Sequence, residues 1–211
     1  MRLPSQTTVP ARNGAQRSAI ADGILDTAER LAQTRGFNGF SYADVAAQLS
    51  VTKASLHYHF PSKADLGLAL IERYSLAFTK ALGTIDAHTN DAGEKLKRYV
   101  RLYDDVMCSQ RMCLCGMLAA EYATLPVPMQ DELRHFFDAN ERWLADVLEQ
   151  GRRAGRLTFR ESAKKRALAV LGALEGAMLV ARAYNDVRRF RSTAAQVLAD
   201  LGVERPRAVR A

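Results

Sequence analysis

Apolar residues recur every three or four positions along nearly the whole chain, and no stretch of useful length alternates with period two. Ile20, Ile24, Leu25, Ala28, Leu31 and Ala32 open the pattern. Leu66, Ala69, Leu70, Tyr74, Ala77, Phe78 and Leu82 continue it, as do Leu133, Phe136, Phe137, Trp143, Leu144, Val147 and Leu148. A repeat near 3.6 is that of amphipathic helices. The punctuation agrees with it. Gly36 suits a left-handed helix stop. Ser41-Tyr42-Ala43-Asp44 and Ser62-Lys63-Ala64-Asp65 read as capping boxes, and Pro61, Pro126 and Pro128 as breaks. The expectation is an all-α chain of about nine helices.

The chain has 211 residues, 48% hydrophobic and 25% charged, enough apolar material for a packed core. Its formal net charge of +7 favours a polyanionic partner. The basic run from Arg152 to Arg166 reads as a solvated helix end and loop. Cys108, Cys113 and Cys115 are odd in number and crowded together, which suits a reducing cytoplasm and no disulfide framework. The longest apolar run, Leu168 to Tyr184, carries Glu175 and Arg182 and falls short of the roughly 20 residues that a bilayer demands. It reads as a buried helix, and no membrane partner is expected.

Residues 41–63 hold two short helical patterns joined by a tight turn at Ser50-Val51-Thr52, behind a longer helix: a helix-turn-helix arrangement. On a helix over 53–60, Leu56 and Phe60 share one side. Ala54 and Tyr58 point the other way, flanked by Ser55 and His57. A small leading residue lets such a helix sink into a major groove, and hydroxyl and imidazole groups reach base edges or phosphates. Lys53 and Lys63 stand near phosphate. His57 and His59 lie about 200° apart on a helix, so they cannot share a metal. No metal or cofactor is expected.

The run Gly36-Phe37, Ser41-Tyr42-Ala43-Asp44-Val45-Ala46, then Val51-Thr52-Lys53-Ala54-Ser55-Leu56-His57-Tyr58-His59-Phe60-Pro61-Ser62-Lys63-Ala64-Asp65-Leu66 resembles the DNA-binding domain of TetR-type repressors. The resemblance covers roughly residues 18–66. It implies that Ser41, Tyr42, Thr52, Lys53, Ser55, His57, Tyr58 and Lys63 lie at double-stranded operator DNA, with Tyr58 and Lys63 on phosphates. Alanine stands at position 54, where the family commonly has glycine, a mild change. It further implies a helical effector-sensing and dimerisation domain over 67–204. Residues 1–17 read as a mobile basic arm and 205–211 as a basic tail.

Gly172 and Gly176, one turn apart in an almost wholly apolar helix, permit close helix-helix approach. With Val180 they mark a face for a second copy of the chain, joined by the helix near 192–201. Two kinds of effector remain open. A small-molecule pocket would draw on Phe78, Tyr103, Met107, Met117, Phe136 and Trp143, with Glu121 or Glu175 holding a polar group. Alternatively, Met112-Cys113-Leu114-Cys115-Gly116 is similar to the sensing segment of a TetR subgroup that responds to electrophiles. Cys113 is then the first candidate sensor and Cys115 the second, with Arg111 placed to favour a thiolate. No phosphate loop, nucleophile elbow or metal-spaced set is present, so no enzyme is expected. The rival readings are a thiol-redox enzyme and a non-specific architectural DNA-binding protein.

Overall fold

The computed structural model describes residues 12–203, with side chains described from residue 19 onward. Within them the chain forms nine α-helices and one 3-10 turn, with no strand. The helices are α1 (Arg12–Arg35), α2 (Tyr42–Leu49), α3 (Lys53–His59), α4 (Lys63–His88) and α5 (Ala92–Cys108), then α6 (Leu114–Ala120), α7 (Val127–Arg153), α8 (Ala163–Ala183) and α9 (Val187–Asp200). The 3-10 turn, Tyr122–Thr124, follows α6.

The expected caps set the boundaries. Ser41 and Asp44 close a box at the start of α2, and Ser62 and Asp65 do so at α4. Thr52 caps α3, its hydroxyl accepting from the Ser55 amide at 3.2 Å. Ser50 takes the left-handed conformation that reverses the chain between α2 and α3.

Several boundaries differ from the sequence reading. Helix α1 begins at Arg12, inside the arm expected over 1–17, because Ala15, Gln16 and Arg17 are good helix formers. The rest of that arm and the 205–211 tail lie outside the described residues. Pro128 does not break α7; it sits in the first turn, where its missing N–H is harmless. Helix α6 is short, with Cys113 as its N-cap, and α9 starts at the Asp186 cap, earlier than the helix expected near 192–201. The division expected at residue 66 falls inside α4, which runs from one layer into the next.

Ile24, Ala28, Leu31, Val45, Leu56, Leu66 and Leu70 bury one end of the core. Tyr99, Leu114, Leu118, Met129, Leu144, Leu174, Met178 and Phe190 bury the other. Helix α8 lies between α7 and α9, and α6 packs against α1, α4 and α7. No described helix is long and apolar enough to cross a membrane.

The joint between the two ends is polar. Gly36 ends α1 at φ 87°, and the next two amides, of Phe37 and Asn38, donate to the Glu121 carboxylate at 2.8 and 3.1 Å. A Cβ on Gly36 would come within 2.5 Å of Glu121 Oε1. Gly36→Ala is therefore expected to lower stability by about 1–2 kcal/mol from backbone strain, with a further loss as Glu121 is displaced. Urea midpoints would read it, and an unchanged midpoint would mean that the joint yields freely.

Candidate DNA interface and effector site

Helix α3 is anchored by Leu56, which is fully buried, and by Phe60 at its C-cap. Its opposite face is open: Thr52, Lys53, Ala54, His57 and Tyr58 are exposed and Ser55 half-buried, with Tyr58 at 59%. His57 is held by Nδ1 against the Pro61 carbonyl at 3.1 Å and by its ring 4.8 Å from Tyr42. Ser41 is exposed at the N-cap of α2, where its amide and hydroxyl donate to Asp44 at 2.7 and 2.6 Å.

Two of the eight residues expected at DNA point inward. Tyr42 is buried, and its hydroxyl lies within hydrogen-bond distance of the Phe60 and Ser62 carbonyls, at 2.8 and 2.6 Å. Burial and the Asp65 carboxylate push its pKa up to about 12. Lys63 donates to the carbonyls of Phe37 and Phe40, with its ammonium over both rings at 4.7 and 4.4 Å. Burial lowers its pKa, opposed by Glu121 and Asp44. Both side chains turn in because the 37–40 loop and the α3–α4 corner expose carbonyls that need donors.

In the larger half, a cavity of about 190 Å³ lies among α4, α5, α8 and the N-cap of α6. Its wall includes Tyr74, Phe78, Leu102, Tyr103, Cys113 and Met178. The aromatic packing behind it is continuous: Phe78 meets Tyr99, Tyr103 and Phe136 edge-on, at 5.3–6.1 Å. The Tyr99 hydroxyl joins that of Tyr103 at 3.0 Å and donates to Asn140 Oδ1 at 3.1 Å, so this buried polar chain is satisfied.

Of the expected pocket residues, Phe78 and Tyr103 line this cavity, whereas Phe136 lines a neighbouring one beside Asn140. Trp143 stacks on Tyr99 and donates to Asp86 at 2.8 Å. Met107 opens onto a separate cleft with Cys108, and Met117 lies against Arg182. Glu121 is not a pocket residue; the two amides of the joint claim it.

Glu175 stands behind the cavity against the Cys113 thiol and the open face of Gly116. The residue is only partly buried, but its Oε1 is sealed from solvent and has no hydrogen-bond partner. Burial raises its pKa to about 7.

Cys113 and Cys115 are buried and Cys108 is exposed. Cys113 Sγ accepts from the Gly116 amide at 3.5 Å and from the Tyr74 hydroxyl at 3.7 Å. Burial and the Glu175 carboxyl push the Cys113 thiol well up, and burial does the same to Cys115. Arg111 does not offset this, because its guanidinium is turned to the Gln33 side chain at 3.4 Å. The expectation of a thiolate favoured by Arg111 is thus corrected. Cys108 ends α5 and Cys115 lies in α6, with the chain turning at Gln110 (φ 56°) between them.

Sequence reading missed the joint itself. Glu121 reaches Phe37 across 84 positions, and Arg182 reaches the Gln33 carbonyl, at 3.1 Å, across 149. Only Gly36, as a helix stop, hinted that something approaches there.

Comparison with known proteins agrees with this architecture. Residues 24–70 match the bacterial regulatory proteins of the tetR family, and residues 92–196 match the C-terminal domain of LmrA/YxaF-like transcriptional regulators. The transcriptional regulator AcuR of Cereibacter sphaeroides is 27% identical over 177 residues, 82% of this chain and 78% of its own. The transcriptional repressor NemR of Escherichia coli K12 is 26% identical over 141 residues, 64% of this chain and 70% of its own. A TetR-family regulator from Agrobacterium tumefaciens superposes with a TM-score of 0.85 at 32% identity, covering 88% of this chain and 98% of that one. The chain belongs to the TetR family: it is a DNA-binding transcriptional regulator and not an enzyme.

Proposed function

We propose that this chain is a homodimeric repressor that holds a palindromic operator in the cytoplasm and leaves it when the cavity at Cys113 is filled by a small molecule or its thiol is modified. The observation that carries the DNA reading is the division of α3, with Leu56 sealed inward and Lys53, His57 and Tyr58 outward. Thr52, Lys53, Ser55, His57 and Tyr58 read or grip the major groove, and Ser41 meets a flanking phosphate at the N-terminus of α2. Tyr42 and Lys63 support this surface by fixing its backbone.

Helix α6 supports the coupling. It is seven residues long, with Cys113 at one cap and Glu121 at the other. Cys113 forms part of the cavity wall, while Glu121 holds the amides that follow α1. An adduct on Cys113 or a ligand against it displaces α6, and a short rigid helix passes that shift to the joint. The recognition helices then lose the spacing of about 34 Å that two half-sites require. Because the thiol is buried and protonated, ligand occupation precedes covalent chemistry in this reading.

A gel shift on the chain's own upstream DNA, with excess competitor, tests the reading. Specific binding is expected, and equal binding to all sequences would instead mean an architectural protein. Lys53→Ala is expected to weaken binding to all operators alike and to reduce the slope of log K against log salt by about 1. A slope unchanged by that substitution would remove Lys53 from the phosphates. Loss of the shift on treatment with an electrophile, prevented by Cys113→Ser and not by Cys115→Ser, identifies the thiol. Loss that survives Cys113→Ser excludes it.

A further inference from the structure

The end of α5, the 109–112 loop and the corner between α8 and α9 enclose a second cleft, of about 730 Å³, separate from the cavity at Cys113. Three arginines line it: Arg111, Arg182 and Arg191. Their partners differ. Arg191 is neutralised by Asp104 through two bonds of 2.7 and 3.0 Å. The cleft's own carboxylate, Asp186, is taken by Arg188 and by the cap of α9.

Arg111 and Arg182 have only neutral acceptors. Arg111 Nη1 donates to Gln33 Oε1 at 3.4 Å. Arg182 donates to the Gln33 carbonyl at 3.1 Å, to Met117 Sδ at 3.5 Å and to the Thr34 carbonyl. Among the described residues neither forms an ion pair. Two guanidinium groups thus converge on one uncharged, buried residue. Neither can shed its charge, since arginine does not deprotonate in proteins. The carbonyl end of α1 supplies about half a negative charge, less than the two positive charges brought to it. The fork of a guanidinium matches a carboxylate or phosphate, and two forks converging favour one anion between them.

We propose that this cleft is a binding site for a small organic anion bearing a carboxylate or phosphate group, with Arg111 and Arg182 as its ligands. The same two side chains hold Gln33 and Thr34 at the end of α1. Occupation therefore competes with the joint, and the anion draws α8 and the 109–112 loop away from the DNA-binding end. This does not depend on what fills the cavity at Cys113.

Cys108 supplies the assay, being exposed, in the wall of the cleft and 3.2 Å from Arg191 Nη2. The rate at which N-ethylmaleimide alkylates Cys108 in the full chain would be followed with succinate, with inorganic phosphate, or with sodium chloride at matched ionic strength. Succinate or phosphate is expected to slow alkylation several-fold and saturably across the millimolar range, and sodium chloride is not. Whichever protects at lower concentration tells a carboxylate site from a phosphate one. Protection is expected to vanish in Arg111→Gln and Arg182→Gln and to persist in Arg134→Gln, on α7. Arg111→Gln leaves the hold of Arg182 on α1 intact, so it decides the matter should Arg182→Gln unfold. Slowing no greater than that by chloride, or undiminished in Arg111→Gln, overturns the proposal.

Discussion

Replacing Gly176 by arginine is expected to turn a dimer into a monomer and to weaken binding to a two-half-site operator by roughly 10²- to 10⁴-fold, the avidity that a linked second reader supplies. Leu168, Gly172, Gly176 and Leu179 are spaced by four, four and three residues and so share one face of α8. That face carries exposed apolar side chains: Leu168 at 46%, Leu179 at 47% and, beside them, Val180 at 52%. Nothing lies within 4 Å of a Cβ built on Gly172 or Gly176. An apolar strip with two glycines at its centre suits the close crossing of two copies of α8 on a two-fold axis. An arginine there meets its own copy across the axis, two like charges forced into an apolar contact. Within one chain a Cβ at Gly176 meets nothing within 4 Å, and arginine favours a helix over glycine by about 1 kcal/mol. The monomer should therefore stay folded. Sedimentation equilibrium reads the first effect, and gel shifts on one and two half-sites read the second. A variant that still sediments as a dimer would move the interface elsewhere.

Local chemistry was legible in the sequence and long-range pairing was not. Capping boxes at Ser41 and Ser62, the turn at Ser50 and the inward Leu56 all depend on residues within four positions of one another. The helix-turn-helix therefore came out nearly as it stands. The inward bonds of Tyr42 and Lys63 were not legible, because a tyrosine or lysine beside a DNA-reading helix looks free until the carbonyls of Phe37, Phe40, Phe60 and Ser62 are seen to need donors. Glu121 looked like a pocket residue for the same reason: its partners lie more than eighty positions away. Cys113 caps α6, which leaves its sulfur accepting a bond from the Gly116 amide, and no capping motif in the sequence marks it as a cap. Periodicity marks which residues are buried. It does not say which buried polar group has a partner, and the site depends on that.

Glu175 is where this matters most. Its folded pKa is about 7 against an ordinary 4.5, so the native state holds a proton that the unfolded chain has released. The sign follows from linkage: the native state is favoured in full below pH 4.5 and loses stability as pH rises toward 7. Each pH unit in that window costs about 1.4 kcal/mol, and the window as a whole about 3 kcal/mol. Glu175→Gln keeps the shape and never ionises. Relative to the wild type it is expected to gain roughly 3 kcal/mol in unfolding free energy between pH 4.5 and pH 8, and little of that by pH 5. The groups that face this carboxyl are Tyr74 on α4, Tyr99 and Tyr103 on α5, and Cys113 and Cys115 at α6, and none of these supplies a cation. The substitution also removes the charge that pushes the Cys113 thiol up, so Cys113 should be alkylated faster at pH 8 in the variant. Denaturant unfolding at the two pH values, with thiol labelling at the higher one, measures both. A stability difference that does not change with pH would mean the carboxyl reaches water. The case for a buried, protonated Glu175 against the Cys113 thiol would then fall.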